Sequence, residues 1–118
     1  MARFLFVLGS GLGNSNSPTR CVQFAQIAHQ EGHDVSLFLI DEGVIFGRKG
    51  MTVNVVAPTG EEMNTAMEYM LREKIPIYVC SPCAKARAIT EDVLLEGAQY
   101  AVGKKLIELA AESKVFNF

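Results

Sequence analysis

Cys80-Ser81-Pro82-Cys83 is the stretch of this 118-residue chain best equipped for chemistry. A thiolate is a strong nucleophile and can carry a second sulfur as a persulfide, provided it is accessible and its pKa is lowered. Two thiols spaced as CxxC can also exchange with a disulfide, one attacking and the other resolving. Lys85 and Arg87 follow directly and bring positive charge towards an anionic sulfur. The plain alternative is that both cysteines are small packing residues, as free cysteines often are. A zinc site would call for a second CxxC or a paired histidine, and the chain supplies neither, so no metal is expected.

A second candidate is the loop Gly9-Ser10-Gly11-Leu12-Gly13-Asn14-Ser15-Asn16-Ser17. Stacked backbone N–H groups ahead of a helix form an anion nest, with Gly11, Gly13, Asn14 and Ser15 as the candidate contacts. The spacing is not GxGxxG and no Gly-Lys-Ser/Thr follows, so dinucleotide or nucleoside-triphosphate binding has little support. Cys21 sits beside Val22 and Phe24 on an apolar face and reads as packing. His29 and His33 are separated by Gly32 and read as solvated surface residues.

Both candidate segments fall where strands should end. Phe4–Leu8, Asp34–Ile40, Ile75–Val79, Gln99–Val102 and Val115–Phe118 are short apolar runs that read as strands. Between them lie helical patterns. The first is capped by Ser17 with Pro18 at its first position and stopped by Gly32. A short helix is expected over Gly43–Arg48, and Thr52–Ala57 is ambiguous between strand and connection. Thr59 and Glu62 are spaced as a capping box before a stripe of Met63, Met67, Met70 and Leu71. Ser81 or Pro82 opens a short helix through Arg87, and a last helix runs over Gly103–Glu112. Strands alternating with helices predict an α/β fold: one domain over 1–118, a three-layer sandwich around a mostly parallel five-stranded sheet. Ligand and reaction sites of such sheets lie beyond the carboxyl ends of the strands, which is where Gly9–Ser17 and Cys80–Cys83 fall.

Composition narrows the function classes. Eleven Lys and Arg against thirteen Asp and Glu give a net charge of −2 with no basic stripe, so nucleic acid is not an expected partner. No stretch approaches the about 20 apolar residues of a membrane span, and no secretory leader is evident. Three cysteines are an odd count for a disulfide scaffold and point to a reducing, cytoplasmic setting.

Taken together, the chain resembles the DsrE/DsrF-like family of small sulfurtransferase subunits, which includes the TusD-type sulfur-relay proteins. The resemblance rests on Ser17–Ala25 running into Glu31–Phe38, on the acidic-Gly-Val turn Asp41-Glu42-Gly43-Val44, and on Val79–Arg87. In the last stretch the family places its sulfur-carrying cysteine at a strand end, seven residues before an arginine, as Cys80 and Arg87 stand here. Family members often have glycine where this chain has Ala88, and many lack a cysteine at the position of Cys83. The resemblance implies a sulfur carrier with a persulfide on Cys80; on the residues themselves, Lys85 and Arg87 would stabilise the anion and Cys83 would release the sulfur by forming a disulfide with Cys80. It implies donor and acceptor proteins as partners, a homo- or hetero-oligomer, often a trimer or hexamer, and no bound metal or organic cofactor; of these a homo-oligomer is expected. Two other readings stay open: a dithiol oxidoreductase using Cys80 and Cys83, and a non-catalytic binding or assembly module using the glycine loop.

Overall fold

Five strands form one sheet in the order β4-β3-β2-β1-β5, and every neighbouring pair is parallel. They are β1 (Arg3–Leu8), β2 (Asp34–Leu39), β3 (Ile77–Cys80), β4 (Ala98–Ala101) and β5 (Lys114–Asn117). The connecting helices are α1 (Asn16–Gln30), α2 (Met63–Arg72), α3 (Ser81–Ala86) and α4 (Gly103–Ala111). This computed structural model describes residues 1–14 and 16–118. The expectation for Ser15 lies outside the described residues.

Register and the two-residue period of strands sort the side chains onto two faces. Phe6, Leu37 and Ile77 share the face towards α1, while Val7, Phe38 and Tyr78 share the other. Lys105 of α4 lies over the Tyr78 ring at 5.4 Å, which places α4 on that second face. The change of side follows from the order of strands: β1 to β4 step one way across the sheet, and the last crossover returns to the far side of β1. A right-handed crossover in the reverse direction must use the opposite face. Leu5, Leu8, Leu37, Leu39, Ile77 and Val79 are fully buried, as strands covered on both faces require.

Several expectations change in detail. α1 starts at Asn16, so Pro18 is its third residue rather than its first. Asn14, not Ser17, caps it: its Oδ1 accepts the amides of Asn16 and Ser17 at 3.0 Å each. The Thr59–Glu62 capping box does not form. Glu62 makes no side-chain cap to α2, and Thr59 Oγ1 instead accepts from Arg20 Nη2 at 2.9 Å and donates to Glu61. Residues Thr52–Ala57 are a turn-rich connection with a single antiparallel bridge, Val56 to Glu62. Ile75 and Pro76 precede β3, where the Pro76 carbonyl accepts the Leu37 amide at 2.9 Å. The histidines are engaged rather than free. His29 Nδ1 is 2.7 Å from the Tyr69 hydroxyl, and His33 Nδ1 accepts the Ala2 amide at 2.9 Å.

α1, α2 and α3 end alike. Each closes with a 6→1 bond, His33 N to Ala28 O, Ile75 N to Met70 O and Ile89 N to Ala84 O. The residue before each closing amide is left-handed: Gly32 (φ 90°), Lys74 (φ 54°) and Ala88 (φ 55°). This is the Schellman arrangement, for which glycine is the usual choice.

Met63, Met67 and Met70 are buried core, so the methionine stripe is not an outer face. The exposed apolar surface lies elsewhere. β5 is exposed along its whole length, and Phe116 joins Phe4, Phe6, Phe24 and Ile27 in an apolar groove of about 360 Å³.

Candidate thiol site

The site is built at the carboxyl end of β3. The strand ends on Cys80, and α3 begins at once with Ser81 and carries Cys83 in its first turn. The chain after β2 folds over the same end as a 3-10 helix, Asp41–Gly47. This turn fits because of glycine. A Cβ at Gly43 would overlap the Leu8 carbonyl oxygen and stand 2.8 Å from its carbon, and one at Gly47 would meet Val79 at 3.0 Å. A Cβ at Gly11 would meet the Glu42 Cβ at 3.0 Å, so the glycine loop after β1 leans directly on the acidic turn.

The three cysteines are all free thiols with different surroundings. Cys21 is on α1 and wholly buried, and burial pushes its thiol far above the ordinary range. Cys80 is 8% exposed. Its thiol is pushed above its ordinary value of 9.0, chiefly by burial and then by a hydrogen bond with the Cys83 side chain; the Cys83 amide acts the other way. The start of α3 therefore does not lower the pKa of the Cys80 thiol. Losing water at the strand end outweighs the amide at the helix start.

Cys83 is half-buried and faces the acidic turn. Its sulfur accepts the Asp41 amide at 3.3 Å and lies 4.0 Å from Asp41 Oδ1. Asp41 holds a left-handed backbone, φ 52°, a conformation that Asp tolerates better than most residues. Arg87 clamps the same corner: Nη1 donates to the Cys83 carbonyl at 3.1 Å and Nη2 to Glu42 Oε2 at 2.9 Å. That partnership pushes the Arg87 pKa up, so the guanidinium stays charged. Lys85 is exposed on α3, and among the described residues no hydrogen bond or ion pair ties it to either sulfur.

Gly11, Leu12, Glu42, Ile45 and Arg87 line a shallow depression beside the thiols. Within the loop, the Gly9 amide donates to the Phe118 carbonyl at 2.8 Å and the Asn14 amide to Gly11 at 3.1 Å. Asn14 spends its side-chain oxygen on the α1 amides. Among the described residues, nothing lies within 4 Å of where a Gly13 Cβ would stand. Among the described residues, no three His, Cys, Asp or Glu side chains gather as metal ligands.

The structure thus brings Cys80, Cys83 and Arg87 together with Gly11, and leaves Lys85 at the margin. Sequence reading gave Asp41 and Glu42 no chemical role. The available signal was their place in a turn directly after a buried strand.

An interior parallel strand ending in a thiol, under a turn from the neighbouring strand, defines a class of small α/β thiol proteins. A model of the DsrE/DsrF-like family matches residues 2–118, and the chain belongs to that family. It is 34% identical to an uncharacterized protein of Methanopyrus kandleri over 78% of this chain and 73% of the relative. It is 36% identical to an uncharacterized protein of Methanocaldococcus jannaschii, over 78% of this chain and 77% of that one. Among solved structures, the ychN protein from E. coli superposes with a TM-score of 0.83 at 22% identity, covering 100% of both chains. A protein of unknown function from Methanobacterium thermoautotrophicum superposes with a TM-score of 0.72 at 14% identity, again over 100% of both. These two likenesses establish the fold.

Proposed function

We propose that the chain is a sulfur-relay protein that holds sulfane sulfur as a persulfide on Cys80 and passes it to a thiol on an acceptor protein. The carrying observation is the pair of free thiols at the carboxyl end of β3, one buried at the strand end and one half-buried in the first turn of α3. Family membership supports the same reading. Sulfur transfer needs a nucleophilic sulfur that docks with partners yet shields its cargo from solvent thiols. Arg87 keeps a fixed cation at the rim through Glu42, and Lys85 adds charge on the solvent side. The partners are a protein sulfur donor and a protein acceptor.

Self-association belongs to the same proposal. The exposed β5 edge and the groove at Phe116 present an open strand edge and an apolar face side by side, a combination proteins normally cover. We assign it to contacts between copies of this chain, in a trimer or hexamer, in a reducing cytoplasm. No helix among the described residues is long and apolar enough to cross a membrane.

Cold cyanolysis tests the carrier reading. Cyanide removes the outer sulfur of a persulfide as thiocyanate and leaves the thiol. Chain treated with inorganic polysulfide and desalted should yield thiocyanate in proportion to chain, and Cys80→Ser/Cys83→Ser should yield none. No thiocyanate from the native chain contradicts the reading.

A further inference from the structure

We propose that the two thiols have ordered roles: Cys83 receives sulfane sulfur from the donor and hands it inward to Cys80, which stores it. This deepens the persulfide reading of the same site and rests on it. Three observations carry it. Cys83 is half-buried on a short helix, whereas Cys80 is 8% exposed at the end of an interior strand, so a donor meets Cys83 first. Cys80 ends β3 and Cys83 lies in the first turn of α3, so the two thiols are neighbours across one strand–helix junction. The Asp41 amide already donates to the Cys83 sulfur at 3.3 Å, which is the sulfur that must leave in the second step.

The chemistry balances without an oxidant. In the first step Cys83 gives its proton to solvent and its thiolate attacks the outer sulfur of the donor persulfide. A new S–S bond forms on Cys83, the donor's S–S bond breaks, and the donor departs as a thiolate. In the second step the Cys80 sulfur attacks the outer sulfur of the Cys83 persulfide. The bond to Cys83 breaks, and the Cys80 proton ends on the Cys83 sulfur. Sulfur moves inward as a proton moves outward, so no net charge is buried. Burial makes a bare Cys80 thiolate costly, and this exchange avoids that cost. Asp41 is a positioning residue: its amide supports the departing Cys83 sulfur and its left-handed backbone holds the turn over α3.

The test uses glutathione persulfide as donor, with the full chain and its Cys83→Ser, Cys80→Ser and Cys80→Ala variants, loading followed by intact mass. Circular dichroism confirms that each variant is folded, and the alanine variant covers the case in which a buried serine hydroxyl disrupts β3. Cys83→Ser should load about tenfold more slowly or worse, as the accessible thiol is gone. The Cys80 variants should load at the native rate but lose the added sulfur to dithiothreitol about tenfold faster than the native chain, since the persulfide then stays on the outer thiol. On the native chain, a brief iodoacetamide pulse should label Cys83 ahead of Cys80. Native-rate loading of Cys83→Ser, failure of both folded Cys80 variants to load, or first labelling at Cys80 would overturn the order while leaving the carrier reading intact. Collapse of the loaded native chain to a Cys80–Cys83 disulfide with release of sulfide would overturn storage. A native chain that never gains sulfur defeats the carrier reading and the order with it.

Discussion

The Cys83 sulfur accepts a hydrogen bond from the Asp41 backbone amide at 3.3 Å, across 42 positions of sequence. This contact joins the turn after β2 to the helix after β3. Two adjacent parallel strands deliver their carboxyl ends to one place, and the residues just beyond them must meet. The thiol site is therefore a product of the sheet's register, and its integrity should depend on the glycines that let the turn close.

Gly43→Ala tests that dependence. The added methyl would overlap the Leu8 carbonyl, and backbone cannot yield as a flexible side chain does. The variant should lose about 2 kcal/mol or more, in the range of overpacked cores, read as a lower urea midpoint with unchanged slope. Gly13→Ala, which meets nothing within 4 Å among the described residues, should stay within about 0.5 kcal/mol of the native chain.

Ala88→Gly should do the reverse. Ala88 holds φ 55° at the left-handed position that closes α3. A left-handed alanine costs about 1–2 kcal/mol, while glycine's greater unfolded freedom returns about 0.5–1 kcal/mol of any gain. A net rise of about 0.5–1 kcal/mol is expected in the unfolding free energy. A loss would mean that the methyl makes a contact worth more than the strain.

Stability should fall as pH rises above the ordinary thiol range. Cys21 is wholly buried and its thiol is pushed far above 9.0, so above that pH the unfolded chain gives up a proton that the folded chain keeps. The unfolded state then binds fewer protons, and unfolding free energy drops by about 1.4 kcal/mol per pH unit for such a group. Below pH 9 this contribution is constant. Urea titrations at pH 8, 9.5 and 10.5 should show a shallower decline for Cys21→Ala than for the native chain. Parallel declines would mean that Cys21 ionises as readily folded as unfolded.

Much of the fold was legible because apolar runs and glycines punctuate the chain regularly. The runs at Phe4–Leu8, Asp34–Ile40 and Ile75–Val79 matched β1, β2 and β3 to within two residues at either end. Caps were less legible. Asn14 and Ser17 both have capping side chains, and only the path of the loop decides which oxygen meets the free amides. Thr59 lost its capping role to Arg20, a partner 39 residues away that no local pattern exposes. The thiols followed the same division. Their place at the end of β3 could be read from strand alternation. The burial that raises the Cys80 thiol could not, because it depends on the Asp41–Gly47 turn closing over the strand end.

Phe116→Asp probes the proposed association surface. Phe116 is 45% exposed on the edge strand, within the groove formed with Phe24 and Ile27. Its ring is not needed to complete the buried core, so the variant should fold and sediment as the 12.9 kDa chain while the native protein sediments as an oligomer. A native protein that sediments as a monomer at micromolar concentration, roughly the scale of a stable interface, would remove the basis for this assignment.

The central claim is that sulfur rides on Cys80 and Cys83 and leaves for another thiol. Intact mass spectrometry tests it most directly, on the native chain treated with inorganic polysulfide, desalted, and then mixed with an acceptor thiol. The account predicts a gain of about 32 Da, one sulfur atom on the cysteine oxidation ladder. It predicts loss of that mass on adding the acceptor, with the sulfur recovered on the acceptor, and no gain in Cys80→Ser/Cys83→Ser. A native chain that gains no mass, or a double variant that gains as much as the native chain, would contradict it.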